Sequence, residues 1–178
     1  LIPDFNIVQN DPCSFFPIDF IDQTAGGSDN EYLWNFGDGN TSTEHSPTHL
    51  YNAYGNGNQT YDVTLQVTNK DNGCIVTTPI QQITVTQRPD ATLFENNFTN
   101  FSNCGNASPT APTFTIDVSY DPSVATNNNF YEIDWDDPND PVNYASPNPP
   151  LNVPHTYTEL GVYDLTFTIT AANGCNDT

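Results

Sequence analysis

The chain has 178 residues, of which 22 are acidic and only two, Lys70 and Arg88, are basic, for a net charge of -20. Such a chain has no cationic surface to set against phosphate, which excludes nucleic acid and anionic membranes as partners. No apolar run approaches the ~20 residues of a membrane helix. Disorder is excluded as well: aromatics make up 12% of the chain and charged residues only 13%, the reverse of an acidic disordered composition.

Polarity comes mainly from Asn, Thr, Ser and Gln, and together with 15 Pro and 10 Gly this is the composition of short strands and tight turns. The fold class predicted is all-β. In chain order, Phe16, Ile18 and Phe20 alternate with polar or proline positions after Cys13, and predict a first inward-facing strand. Tyr32, Trp34 and Phe36 form the next alternating set and run into the turn Asn35 to Gly39. Tyr61, Val63, Leu65 and Val67 predict a long strand, and Asn72-Gly73 supplies the positive φ angles of a tight hairpin. A further strand is predicted from Ile75 to Val85, ending at Gln87-Arg88-Pro89.

The same series then returns. Phe114, Ile116, Val118 and Tyr120 are followed by Tyr131, Ile133 and Trp135, then by Tyr163, Leu165, Phe167 and Ile169. Thr60 to Thr68 reads as Val162 to Thr170, Asn72-Gly73-Cys74 as Asn173-Gly174-Cys175, and Tyr32 to Asp38 as Tyr131 to Asp137. His49 and Tyr51 reappear as His155 and Tyr157, and Cys13 as Cys104. Blocks kept in order describe a tandem duplication, with domains at residues 1–88 and 89–178. One apolar and one polar face per strand predicts a sandwich of antiparallel sheets in each. The second copy stops just past Cys175 and lacks the counterpart of the Ile75–Val85 strand. Leu1 has neither a basic flank nor an initiating Met, and the chain reads as an internal stretch of a longer protein.

The run Tyr32-x-Trp34-x-Phe36-Gly37-Asp38-Gly39, then Pro47-x-His49-x-Tyr51, then Tyr61-x-Val63-x-Leu65-x-Val67 resembles the polycystic kidney disease (PKD) domain. The second copy is a degenerate version: Asp134-Trp135-Asp136-Asp137-Pro138 replaces the glycine-rich turn, while His155-x-Tyr157 and Gly161-x-Tyr163 are kept. The resemblance extends to PKD repeats of large surface proteins of Bacteroidota, including gliding adhesins. It implies an Ig-like fold, an extracellular location and a non-catalytic role as a structural or adhesive repeat, with neighbouring repeats of the same chain as partners. PKD-like domains also occur as accessory domains of secreted hydrolases.

Two cysteine pairings are open. The simple one staples each domain, Cys13 to Cys74 and Cys104 to Cys175. In an Ig-like sandwich, however, Cys13 precedes the second strand at one pole, while Cys74 follows a hairpin at the other. A disulfide needs Cα atoms about 4.4–6.8 Å apart. End-to-end domains instead bring Cys13 towards Cys175, leaving Cys74 for a preceding repeat and Cys104 for a following one, and such a ladder would stiffen a stalk.

No residue pattern supports catalysis. His49 and His155 belong to the repeated motif, which favours a structural role, and no serine stands in a nucleophile elbow. No cofactor is expected. Asp134, Asp136, Asp137, Asn139 and Asp140 crowd one turn with oxygen ligands that suit calcium, against the alternative of a solvated acidic turn. Trp34 and Trp135 fall in the inward register and read as core. Tyr54 and Tyr144, in Asn/Gly/Pro-rich loops, are the candidates for contact with a surface glycan or protein ligand. Asn40, Asn58, Asn97 and Asn100 begin Asn-x-Ser/Thr triplets, which are glycan acceptors in a eukaryotic secreted protein and chance products of composition in a bacterial one.

Overall fold

The computed structural model describes residues 1–27, 29–96, 113–121, 128–141 and 143–178. They are all-β, in two compact units: residues 1–53 with 57–87, and residues 54–56 with 88–178.

In the first unit, β1 (Phe5–Gln9) pairs with β2 (Ile18–Asp22), which pairs in turn with β5 (Thr48–His49), all antiparallel. The facing sheet runs β4 (Thr41–Ser42), β3 (Asn30–Asn35), β6 (Asn58–Asn69), β7 (Cys74–Thr77). The twelve-residue β6 serves two partners on one edge: its second half pairs with β7 and its first half with β8 (Gln81–Thr86). The alternation read from the sequence becomes the core: Phe5, Ile18, Phe20, Trp34, Phe36, Tyr51, Val63, Leu65, Val67, Ile83 and Val85 are buried together. Asymmetric aromatic contacts fill it, with Phe5 edge-on to Trp34 at 5.1 Å.

Two expectations are corrected here. Phe16 is 45% exposed, because the chain turns at Phe15 with a φ of 69° and the strand starts only at Ile18. The strand expected from Ile75 to Val85 is two strands. Thr78 donates its N–H to the Leu65 carbonyl (2.9 Å) and accepts the Leu65 N–H on its hydroxyl (3.0 Å). One threonine thereby satisfies both backbone groups of Leu65. Pro79, which has no N–H, follows it, and the chain shifts along β6 before pairing resumes at Gln81.

The second unit repeats the plan. β9 (Leu93–Glu95), β10 (Phe114–Tyr120) and β13 (Val153–Tyr157) form one sheet; β12 (Tyr144–Ser146), β11 (Asn128–Asp134), β14 (Thr166–Ala171) and β15 (Asn176–Asp177) form the other. Register makes the correspondence explicit. Val67 faces Val76 as Ile169 faces Asp177, so β14 and β15 stand where β6 and β7 stand. Both hairpins turn on a left-handed glycine, Gly73 (φ 70°) and Gly174 (φ 89°), as the Asn-Gly pairs require. Among the described residues β8 has no counterpart, and the stretch that matches the first half of β6, residues 160–165, is not strand. Tyr163 and Leu165, read as strand positions from the sequence, therefore lie ahead of β14 rather than in it.

Candidate functional site

The residues that carry the repeated motif converge on one arrangement, built twice. In the first unit, β3 ends at Asn35, whose side-chain oxygen accepts the Gly37 N–H at 2.9 Å. The turn presents Asp38, which accepts the Asn40 backbone N–H (2.9 Å) and side-chain amide (3.0 Å). His49 Nε2 lies 2.7 Å from Asp38 Oδ2. The imidazole is stacked on Phe36 at 4.1 Å with 6° between planes, and Tyr51 meets its edge at 4.7 Å. Tyr51 donates its hydroxyl to the Phe36 carbonyl (2.9 Å) and stacks on Tyr61 at 4.3 Å.

The second unit reproduces the arrangement, with other residues where the sequence differs. Asp134 accepts the Asp136 N–H (3.0 Å), and Asp137 accepts the Asn139 N–H (2.9 Å). His155 Nε2 lies 3.1 Å from Asp137 Oδ2 and stacks on Trp135 at 6°. Tyr157 meets the imidazole edge (4.6 Å), donates to the Trp135 carbonyl (2.9 Å) and stacks on Tyr163 (4.1 Å). Asp137 and His155 are both buried.

These surroundings shift acidities in a consistent way. Burial pushes the Asp38 and Asp137 carboxyls up, but the hydrogen bonds they accept, from Asn40 and His49 and from Asn139, His155 and Asp140, outweigh it and hold both below the usual carboxylate range. Burial, helped by the negative charge of Asp137, pushes the Tyr157 hydroxyl up to about 12. Tyr51 is raised for the same reasons, burial first and Asp38 second. The cluster is a closed set of mutually satisfied groups. Among the described residues no histidine hydrogen-bonds to a serine, threonine or cysteine; the third, His45, pairs with Asp22 at 2.9 Å.

One position breaks the symmetry. Gly37 sits at φ 81°, and a Cβ there would lie 2.6 Å from the Asp62 carbonyl oxygen and 2.7 Å from its nitrogen. Asp136 takes that place in the second unit, also left-handed at φ 53°. Asp164, the counterpart of Asp62, now reaches it by an N–H bond to the Asp136 carboxylate at 3.1 Å.

Of the expected calcium ligands, Asp134, Asp136 and Asp137 line an open cleft of ≈ 460 Å³ with Pro138, Pro141, Asn143, Val162 and Tyr163. Asn139 and Asp140 are outside that lining; Asn139, and Asp140 through its backbone, hydrogen-bond to the Asp137 carboxylate instead. Among the described residues no three acidic, histidine or cysteine side chains are arranged to hold a metal ion. Trp34 and Trp135 are core. Tyr54 is half exposed, with the Arg88 guanidinium 5.5 Å from its ring. The Tyr144 hydroxyl donates to the Asn148 carbonyl. Asn40 and Asn58 are exposed; Asn97, Asn100 and Cys104 lie outside the described residues.

Cys13 is disulfide-bonded and stands against the end of β8, bridged to Thr86. Cys74 is a free, exposed thiol at the start of β7. Thr86 pairs with Asn58 and Cys74 with Asn69, so the two cysteines are separated by the length of β6, roughly 35–40 Å at ~3.3 Å per residue. The pairing of Cys13 with Cys74 does not form. In the second unit Cys175 is disulfide-bonded and buried beside the β14–β15 hairpin.

Residues 8–85 match the family described as the PKD domain. Over 58 residues the chain is 48% identical to a collagenase, ColA, of Bacillus cereus, a stretch that covers 33% of this chain and 5% of that protein. The chain therefore spans a small fraction of the curated relative it matches. The PKD1 domain of the Vibrio cholerae metalloprotease PrtV is 30% identical at a TM-score of 0.38, covering 49% of this chain and all of that domain. The PKD1 domain of Vibrio anguillarum Epp is 24% identical at a TM-score of 0.39, covering 48% of this chain and 93% of that domain. The matched PKD stretch takes in the whole first copy of the aspartate–histidine–tyrosine cluster. No helix among the described residues is long and apolar enough to cross a membrane.

Proposed function

We propose that the chain is a non-catalytic spacer of a secreted surface protein, with Cys13 and Cys175 joined to one another so that the two sandwiches form part of a stiff stalk that presents an adhesin. The observation that carries the reading is the doubled cluster. Both repeats commit their histidine, aspartate and tyrosines to the same internal contacts, as a structural repeat does and an enzyme does not. The oxidised state of Cys13 and Cys175 beside a free Cys74 favours a linkage between repeats over one staple per domain. The free thiol of Cys74 is exposed, as a link to a preceding repeat requires. Oxidised cysteines also favour an extracellular setting.

A non-reducing peptide map by mass spectrometry tests this. The expected result is a Cys13–Cys175 peptide, with Cys74 alkylated without prior reduction. A Cys13–Cys104 or Cys104–Cys175 peptide would overturn the stiffened stalk. A second reading, favoured by the 48% match to a collagenase, is an accessory module of a secreted hydrolase. It predicts that deleting residues 1–178 from the parent protein lowers activity on an insoluble substrate and leaves activity on a soluble one unchanged.

A further inference from the structure

The outward face of the first unit's larger sheet differs in chemistry from its counterpart in the second. Successive strand residues point to opposite faces, and Trp34, Val63, Leu65 and Val67 are buried. Leu33, Thr64, Gln66 and Thr68 therefore point outward, with Ile75 and Thr77 beside them on β7. Leu33 and Thr77 flank Gln66, and Ile75 stands next to Thr68. Leu33 is 43% exposed and Ile75 60%. Ile80, in the crossing between β7 and β8, is exposed as well. In the second unit the same registers hold Glu132 in place of Leu33 and Asn176 in place of Ile75, so the fold itself does not require aliphatic side chains there.

Charge decides what this face can meet. Its carboxylates stand at the rims. Glu31 and Asp29 are at one end, where the Lys70 ammonium lies 3.1 and 3.7 Å from them. Asp62 is at the other and accepts the Gln82 side-chain amide at 2.8 Å. The outward residues between them are uncharged, in a chain of 22 acids and two bases. A basic partner is drawn to the acidic surface, not to this face. Two copies of the chain repel one another at long range, and contact through an acidic face sets carboxylate against carboxylate. Contact of this face with itself does not. A two-fold interface joins one patch to its own copy, so Leu33 and Ile75 meet uncharged neighbours and their exposed apolar area leaves water.

We propose that the outward face of β3, β6 and β7, centred on Leu33, Gln66 and Ile75, is a contact surface for a second copy of this chain, the face packing on itself across a two-fold axis. A face of three short strands is small against the ~800 Å² per partner of a stable complex. The association is therefore weak and reversible, and it strengthens as salt screens the repulsion between the copies.

The test is sedimentation equilibrium of the full 178-residue chain carrying Cys74→Ser, which removes the exposed thiol as a source of covalent dimers. The expected result is a monomer–dimer equilibrium at millimolar chain, with an association constant that rises at least tenfold between about 0.1 M and about 1 M sodium chloride. Leu33→Glu and Ile75→Asn bring in the second unit's own residues at exposed positions. Each reduces association at least tenfold and leaves the melting temperature of the monomer unchanged. Leu151→Asn, at an exposed aliphatic position of the second unit, leaves association unchanged. A chain that stays monomeric at millimolar concentration in 1 M salt would overturn the proposal, as would a dimer that both Leu33→Glu and Ile75→Asn leave intact. So would a dimer that weakens as salt rises, since charges would then make its contact.

Discussion

Tyr51 and Tyr157 hold their clusters together at the level of single atoms. Each hydroxyl donates to a buried carbonyl, of Phe36 or Trp135, while each ring is gripped between an imidazole edge and another tyrosine. Tyr157→Phe keeps the ring contacts and leaves the carbonyl unpaired, so it should destabilise its unit by about 1–3 kcal/mol, read as a lower urea midpoint with an unchanged slope. Acidity gives a second prediction at this scale. The Asp38 and Asp137 carboxyls sit below their unfolded value of about 3.9. Their contribution to stability is therefore complete above that value and is lost as pH falls below about 4. Tyr120 and Tyr157 are raised to about 12; the unfolded chain ionises first, near 10, so stability falls again as pH rises from about 10 to 12. Melting temperature should fall along both limbs, and Asp137→Asn should shrink the acid limb. That both histidines share one kind of surroundings was legible in the sequence, because they recur with their aromatic neighbours. The exposure of Phe16 was not, because alternation cannot register the left-handed turn at Phe15 that ends it.

At the scale of elements, the sequence displays strand faces more clearly than strand partners. The inward sets of β3, β6, β10 and β11 could be read directly from period two, and they form the two cores. The split of the final strand of the first unit could not, since Ile75 to Val85 keeps a strand-like composition through the crossing; what divides it is the pair of bonds Thr78 makes to Leu65. In the acidic turn Asp134, Asp136 and Asp137 each accept a backbone N–H, from Asp136, Asp164 and Asn139, and all three line one cleft. The Gly37 and Asp136 pair yields a prediction for β6. Gly37→Asp places a side chain against the Asp62 backbone at a left-handed position, a strain of roughly 1–3 kcal/mol. Hydrogen exchange should then quicken across Asn58–Val63, where β8 pairs, and stay slow across Leu65–Asn69, which β3 and β7 hold on both sides.

For the whole molecule the governing quantity is charge. With 22 acids and two bases, carboxylates repel one another across the surface and oppose the compact state. Both cations are already engaged: Lys70 lies 3.1 Å from Glu31, and Arg88 3.1 Å from Asp177 in a partly buried pair. Screening is the remaining relief. The Debye length shortens from about 10 Å at 0.1 M salt to about 3 Å at 1 M, well inside the spacing of most surface charges. Raising sodium chloride over that range should therefore raise the melting temperature, by about 2–4 °C for each kcal/mol of repulsion removed in a chain of this size. A neutralised surface should lose that dependence, so a variant with several exposed Asp and Glu changed to Asn and Gln should melt higher at low salt and respond less to added salt. Calcium chloride at matched ionic strength separates screening from specific binding. A rise beyond that of sodium chloride, abolished by Asp136→Ala, would mark the acidic turn as an ion site, whereas superimposable curves would assign the whole effect to screening.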